Sequence, residues 1–300
     1  MIQIKHDNLD NLAKRHWEAV KNYSSKKRVH YNLEHFEKNI KKYFPEFNLE
    51  MIVLAKPEIL EVLALTWLSH QCKNFDDFKA FQTYYDYLTD GDKLFFYKEN
   101  EKKDYSSKLL VNSLGLSVCP YCNRNFIQII GNQRIDELDH FYPKSKYPFL
   151  ALSFYNLIPS CKTCNQTFKG VKEISINPYD MPEKFKFALK IKNVDFYYKK
   201  EGFEIDFKEL KAKLGLNFSV FELEKVYETH KDLILELIQK QITYSDDYID
   251  DLFRRYEGTL FKNREDVLRH LSGNYVSESD FHLRPLSKLT HDIAQELGLL

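Results

Sequence analysis

Two closely spaced cysteine pairs constrain this chain more than any other feature of its sequence. Cys119 and Cys122 form one Cys-x2-Cys pair, Cys161 and Cys164 form a second, and residues 123–160 lie between them. Two thiolates at this spacing can turn toward one ion, and two such pairs complete a tetrahedral four-sulfur zinc site. Since that site leaves no coordination position for a substrate, we predict a structural Zn²⁺ bound by all four cysteines.

A redox role for the first pair is the main alternative to zinc. Cys119-Pro120-Tyr121-Cys122 matches the active-site tetrapeptide of glutaredoxins, which follows the first strand of a small βαβ domain. Here a long predicted helical region precedes the motif and a second cysteine pair follows it, so zinc is favoured. The fifth cysteine, Cys72, lies in an apolar, helix-like stretch and is expected to be a small buried side chain.

The composition excludes several classes of function. The 300 residues carry 44 Lys and Arg against 44 Asp and Glu, so a basic coat over the whole surface is excluded, although a local basic patch is not. No stretch approaches the roughly 18 apolar residues of a membrane span, and the first residues do not form a secretory signal. No glycine-rich nucleotide loop occurs. We therefore expect a soluble, cytoplasmic protein with no membrane partner.

The segment between the cysteine pairs is predicted to form a ββα finger. Residues 125–138 alternate in polarity around a Gly131-Asn132 turn, which predicts a short hairpin. Asp139 and His140 directly follow its second strand. A loop with two prolines comes next, and a short helix is predicted over residues 164–169.

Asp139 and His140 are candidates for phosphodiester hydrolysis. A histidine can accept a proton from water near neutral pH. The Asp139 carboxylate and the Asn165 amide offer hard oxygen atoms to Mg²⁺ or Mn²⁺. Two other interpretations stay open at this point, in which the Asp-His pair is a surface hydrogen-bonding pair or His140 is a zinc ligand.

The run from Leu138 to Lys169, together with the preceding Cys-Pro-Tyr-Cys, resembles the HNH (His-Me finger, ββα-metal) endonucleases that carry a four-cysteine zinc site. It is most similar to the PtuB-like effectors of bacterial anti-phage defence, and the likeness covers about residues 115–180. The resemblance implies that His140 is the general base and that Asp139 and Asn165 bind a catalytic Mg²⁺ or Mn²⁺. It further implies that Asn156 braces the loop and that a partner ATPase exists. Many relatives have histidine where this chain has Asn165.

Basic residues in and near the finger are predicted to contact a nucleic-acid backbone. Residues 119–172 contain seven Lys and Arg against three Asp and Glu. Arg124, Lys144, Lys146 and Lys169 are the candidate phosphate contacts. The alternative is that these side chains are simply solvated.

The sequence as a whole predicts an α+β chain that is mostly helical. An N-terminal helical region over 1–112 and a C-terminal region over 183–300, with a small β-hairpin followed by helices, flank a zinc-clamped HNH finger over 113–182. The predicted function is cleavage of nucleic-acid phosphodiester bonds, with DNA as the expected substrate, in anti-phage defence. The alternatives are an effector that cleaves RNA or tRNA, and a non-catalytic zinc module that binds nucleic acid or protein.

Overall fold

The structure, a computed structural model, describes residues 1–21, 33–71, 73–89, 95–99, 101–131, 133–181 and 184–300. The predictions for Cys72 and Asn132 fall outside these ranges. The described chain is mostly helical, and its short strands pair two by two. This architecture confirms the predicted α+β class. Within the described ranges, every helix is too short or too polar to cross a bilayer.

The helices are distributed along the whole chain, and the strands are short. The helices are α1 (Leu9–Lys21), α2 (Leu33–Tyr43), α3 (Leu49–Val53), α4 (Pro57–Ser69), α5 (Lys79–Thr89), α6 (Ser107–Ser113), α7 (Lys208–Leu214), α8 (Leu216–Val220), α9 (Leu223–Glu228), α10 (Lys231–Thr243), α11 (Asp246–Tyr256), α12 (Arg264–Ser272) and α13 (Ser287–Glu296). The strands are β1 (Phe95–Glu99), β2 (Glu101–Tyr105), β3 (Ile129–Ile130), β4 (Gln133–Arg134), β5 (Glu137–His140), β6 (Leu157–Ser160), β7 (Ala188–Ile191) and β8 (Phe203–Asp206). A seven-residue π-helix covers Thr163–Lys169.

The chain divides into two compact units. The N-terminal unit comprises Gln3–Leu116 and Ile127–Asp180, and the C-terminal unit comprises Met1–Ile2, Ser117–Phe126 and Met181–Leu300. Each unit is therefore built from segments that are distant in sequence. The three ranges 1–112, 113–182 and 183–300 stay a prediction.

An aromatic cluster forms part of the core of the N-terminal unit. Trp67 of α4 lies 5.3 Å from Phe149 between ring centroids, and Phe44 lies 4.6 Å from the same ring. Phe78 contacts both Trp67 and Phe149. All four side chains are buried, and such contacts contribute beyond the apolar area that they remove from water. The helices thereby hold the segment around Phe149, which leads toward the candidate site.

Strand pairing around the candidate site differs from the prediction. The expected hairpin over residues 125–138 is reduced to β3 and β4, two residues each. The strand β5 that carries Asp139 and His140 instead pairs antiparallel with β6, so that Asp139 lies opposite Ile158 and His140 opposite Leu157. The two strands of the finger are thus joined by a long loop rather than by a tight turn, because β5 can bury its residues against the fully buried β6.

The predicted helical N-terminal region also contains strands. β1 and β2 form an antiparallel pair in which Phe95 lies opposite Tyr105. The helical expectation is wrong for these residues, and local helix signals gave no indication of this pairing.

The C-terminal unit combines the predicted hairpin with a set of helices. β7 and β8 pair antiparallel, and α13 caps the hairpin because Glu296 accepts a hydrogen bond from the backbone N–H of Leu189. Tyr227 of α9 packs against Phe187 with 4.5 Å between ring centroids, and its hydroxyl donates a hydrogen bond to the Cys122 carbonyl at 2.6 Å. The first cysteine pair is thus held by a helix that lies a hundred residues further along the chain.

A buried histidine, His16, connects α1 to two other parts of the N-terminal unit. Its Nε2 lies 2.8 Å from the Leu152 carbonyl and its Nδ1 lies 3.1 Å from the Tyr105 hydroxyl. A carbonyl only accepts, so Nε2 carries the proton and Nδ1 accepts from Tyr105. Burial lowers the pKa of His16 from 6.5 to about 4, and the hydrogen bond to Leu152 opposes this shift. The ring is therefore neutral in the folded protein.

His16 predicts a pH-dependent stability. Between pH 6.5 and pH 4 the unfolded chain binds more protons at His16 than the folded chain does. The contribution of His16 to the free energy of unfolding is therefore complete above pH 6.5 and is lost as the pH falls. We expect His16→Gln, whose amide can make both hydrogen bonds, to remove about 1 kcal/mol of the stability difference between pH 7.5 and pH 5.5. Urea unfolding at both pH values measures this. The exposed His6→Gln variant is the control, and the pH dependence of its unfolding free energy should match that of the wild type. An unchanged pH dependence in His16→Gln contradicts the assignment.

Candidate active site

Strand β5 presents different side chains to its two faces. Successive side chains of a strand point to opposite sides, so Glu137 and Asp139 share one face, and Leu138 and His140 share the other. The contacts of these residues follow that division. Glu137 and Asp139 are bonded by side chains of the π-helix, whereas His140 contacts residues from the opposite side of the strand.

His140 is buried and oriented by a backbone carbonyl. Its Nε2 lies 3.0 Å from the Ala151 carbonyl oxygen. Because a carbonyl only accepts, Nε2 carries the proton and Nδ1 retains the lone pair. The ring packs edge-on against Tyr85 of α5, with 4.3 Å between centroids. This tautomer leaves Nδ1 as the basic atom.

The environment of His140 strongly lowers the pKa of its imidazole. Burial lowers the pKa of His140 from 6.5 to about 3; the Ala151 hydrogen bond opposes this shift, and the charges of Lys144 and Lys169 add to it. The prediction that His140 accepts a proton from water near neutral pH stays a prediction. At physiological pH the imidazole is neutral, which is the form that can accept a proton.

Asn156 spans the loop between β5 and β6. Its Oδ1 accepts a hydrogen bond from the backbone N–H of Tyr142 at 2.7 Å, and its Nδ2 donates to the carbonyl of Leu150 at 2.9 Å. Asn156 is fully buried, and its own carbonyl accepts from the backbone N–H of Phe141 at 2.8 Å. One side chain thus connects Tyr142, near the start of the loop, with Leu150, the residue before Ala151, which is the partner of His140.

Helices α4 and α5 hold the same loop from outside. Trp67 Nε1 donates to the carbonyl of Lys146 at 2.9 Å, and Gln82 Nε2 donates to the carbonyl of Lys144 at 3.0 Å. The Tyr85 hydroxyl donates to the carbonyl of Leu138 on β5 at 2.7 Å. The N-terminal helices therefore fix the positions of both the loop and the strand.

On the other face of β5, the π-helix supplies partners for both acidic residues. Lys169 Nζ lies 3.0 Å from Asp139 Oδ1, and it donates to the His140 carbonyl at 2.6 Å. Asn165 Nδ2 donates to one carboxylate oxygen of Glu137 at 2.9 Å, and Gln166 donates to the other. The structure therefore brings Asp139 and the helix of Asn165 together, with Lys169 bonded to the carboxylate.

The predicted phosphate contacts lie in different environments. Lys144 forms an ion pair with Asp86, and Lys146 forms one with Glu173; both lysines are partly exposed. Lys169 is completely buried, so its placement differs from that of a surface phosphate contact. Arg124 is half-buried in the C-terminal unit, where its charge contributes to lowering the pKa of His230.

The cysteine sulfurs form a cluster suited to a metal ion. The Sγ atoms of Cys119, Cys122, Cys161 and Cys164 lie within 4.8 Å of one another, and all four residues are buried. Four thiolates bound to one Zn²⁺ at about 2.3 Å need sulfur atoms roughly 4 Å apart. The backbone N–H of Cys164 also points to the sulfur of Cys161 at 3.5 Å. The four cysteines are therefore positioned to hold a metal ion.

Asp139 and Asn165 carry oxygen atoms of the kind that a hard cation binds. Carboxylate, amide and backbone carbonyl oxygens are the ligands that Mg²⁺ and Mn²⁺ prefer. A positive group already lies at the Asp139 carboxylate and the His140 carbonyl, since the ammonium of Lys169 contacts both. A divalent ion at Asp139 would therefore lie close to the Lys169 ammonium.

Three residues of this site were missed in the sequence. Glu137 lies two residues before Asp139 on the same strand, so the two-residue period could have placed it on the same face. Tyr85 and Ala151 carry no comparable local signal. Their roles arise from the packing of α5 against His140 and from the path of the loop.

One known protein family matches the part of the chain that contains this site. The model of the HNH endonuclease family matches residues 119–169. This segment is an HNH endonuclease domain. It contains the cysteine cluster, both residues of the Asp139-His140 pair, Asn156 and the π-helix, and the predicted family resemblance is confirmed.

Two curated proteins are similar to part of this chain. The Septu protein PtuB of Bacillus thuringiensis is 35% identical over 95 residues, which cover 29% of this chain and 36% of that protein. Protein ea31 of Escherichia phage lambda is 34% identical over 88 residues, 27% of each chain. The matches thus span about a third or less of the length of these relatives. No solved structure matches the chain significantly.

The cysteine cluster predicts that one thiol controls both metal content and stability. Since a bound structural metal supplies folding free energy, Cys161→Ser should reduce zinc to well below one equivalent per chain and lower the melting temperature by roughly 10 °C or more. Mass spectrometry of the metal content and thermal melts measure both quantities. Cys72→Ser, which also removes one thiol, is the matched control and keeps its zinc. A full zinc equivalent in Cys161→Ser contradicts the four-cysteine site.

Proposed function

We propose that this protein is a nuclease that hydrolyses phosphodiester bonds, with DNA as its substrate and His140 as the general base. The observation that carries the proposal is the orientation of His140 within a segment that matches the HNH endonuclease family. The Ala151 carbonyl fixes the proton on Nε2, so Nδ1 is the atom that takes a proton from the attacking water.

The low pKa of His140 has two consequences for this reaction. The ring is unprotonated at neutral pH, so no proton has to leave before it acts. A low pKa also makes the ring a weaker proton acceptor than a histidine that titrates near neutral pH. Stabilisation of charge on the phosphate must therefore contribute much of the rate.

Asp139 and Asn165 are the residues that would hold a divalent cation. When bound, Mg²⁺ or Mn²⁺ neutralises charge that develops on the phosphate and on the leaving oxygen. Asn165 uses its amide nitrogen to bond Glu137, which orients the side chain without using the amide oxygen. Asn156 keeps the loop and the His140 partner in place during the reaction.

The same proposal extends to cofactor and biological context. The four thiolates hold Zn²⁺ as a structural ion, because a closed sulfur site has no position for substrate. The similarity to Septu PtuB supports a role in cytoplasmic anti-phage defence together with a partner ATPase. Co-purification of the tagged chain from its host tests the partner; recovery without any ATPase contradicts this part.

A nuclease assay with His140→Gln tests the proposed base. Gln can still donate to the Ala151 carbonyl but cannot accept a proton, so we expect zinc content to stay at one equivalent while Mg²⁺- or Mn²⁺-dependent plasmid cleavage falls at least about 100-fold. The exposed His6→Ala variant serves as control and retains activity. Wild-type activity in His140→Gln refutes His140 as the base.

The same assay separates the other functions that the sequence allows. The wild-type protein is incubated with plasmid, single-stranded DNA and total RNA, each with Mg²⁺, Mn²⁺ or a chelator. Cleavage of RNA alone assigns the site to an RNA-cleaving effector. Nucleic-acid binding without cleavage of any substrate assigns the finger to a non-catalytic zinc module.

A further inference from the structure

Lys169 is buried in a way that is unusual for a lysine. Among the residues that the structure describes, it is the only buried lysine or arginine, and its side chain has no exposed surface. Lysines are almost never fully buried unless they are paired. The partner of Lys169 is Asp139, whose side chain is only 4% exposed.

The ammonium of Lys169 bonds two acceptors at the end of β5. It lies 3.0 Å from Asp139 Oδ1 and 2.6 Å from the His140 carbonyl. Asp139 and Lys169 thus form a buried pair of opposite charges. Breaking such a pair from one side is strongly destabilising, because the remaining charge stays in a medium of low dielectric constant.

A divalent cation at Asp139 would change this balance. The carboxylate would gain two positive charges within a few ångströms of an existing ammonium. Like charges at that distance repel strongly in a buried environment. The ammonium and the divalent ion therefore compete for the same carboxylate.

We propose that Lys169 is an internal counter-ion that occupies the Asp139 carboxylate in the metal-free protein and leaves it when a divalent cation binds. Lys169 is thus a positioning residue, since it acts through Asp139 rather than on the substrate. The inference rests on the proposed function only in taking Asp139 as a cation ligand.

Titration with Mn²⁺ alone tests this inference without any substrate. The full-length protein with its cysteine site loaded with zinc is titrated by calorimetry and by electron paramagnetic resonance. Lys169→Met removes the competing charge at similar size, so we expect it to bind Mn²⁺ at least tenfold more tightly than the wild-type protein. Mn²⁺ should also raise the melting temperature of this variant more than that of the wild type.

Two control variants locate the effect. Lys172→Met removes a lysine of the same segment whose ammonium bonds only the Phe168 carbonyl in the described contacts, and it should bind Mn²⁺ like the wild type. The double variant Asp139→Asn/Lys169→Met replaces both charges by neutral groups. It should fold without metal and lose the added Mn²⁺ affinity.

Each outcome decides the inference. If Lys169→Met does not fold in the absence of metal, Mn²⁺ should restore its folding. The proposal is overturned if neither Mn²⁺ nor the additional Asp139→Asn substitution restores folding. Unchanged Mn²⁺ affinity in a folded Lys169→Met also overturns it. Tighter Mn²⁺ binding in a protein that cleaves no nucleic acid supports the counter-ion and removes the nuclease proposal. Cleavage by the wild-type protein, together with an unchanged Mn²⁺ affinity in Lys169→Met, supports the nuclease proposal and overturns the counter-ion.

Discussion

The antiparallel pairing of β5 with β6 is the constraint on which the candidate site depends. Its register places Asp139 opposite Ile158 and His140 opposite Leu157, and the alternation of side chains then assigns neighbouring residues to opposite faces. His140 meets α5 and the Ala151 carbonyl, while Asp139 meets the π-helix. A slip of one residue would exchange these partners and place the carboxylate against Tyr85.

The two faces of β5 also differ in how their ionisable side chains are kept without net charge. On one face a histidine is kept neutral by burial, with a pKa of about 3. On the other face a buried carboxylate is balanced by a buried ammonium. Neither residue therefore carries an uncompensated charge, and in the counter-ion proposal a divalent cation that binds Asp139 displaces the ammonium from this carboxylate.

The parts of the site that lie close together in sequence could be predicted from it. The cysteine spacing identifies four candidate metal ligands, whose sulfurs the fold brings together. The family resemblance identifies Asp139, His140, Asn156 and Asn165 as candidates. The partner of β5 was predicted wrongly because residues 125–138 alternate well enough to suggest a hairpin, whereas burial favours β6.

Charge compensation could not be predicted, because it depends on contacts between distant residues. Lys169 was expected at the surface, since most lysines are exposed, and only the fold brings it to Asp139, thirty residues earlier. The neutral state of His140 likewise depends on Tyr85 and on the loop that buries it. Glu137 is the exception, because its position two residues before Asp139 was already visible in the sequence.

Anomalous diffraction from crystals of the wild-type protein grown with MnCl₂ tests the central claim most directly. The account predicts a manganese peak within about 2.5 Å of an Asp139 carboxylate oxygen, with the Lys169 ammonium moved away from that carboxylate. A structure at saturating Mn²⁺ in which Lys169 still bonds Asp139, and in which no manganese lies at that carboxylate, contradicts it.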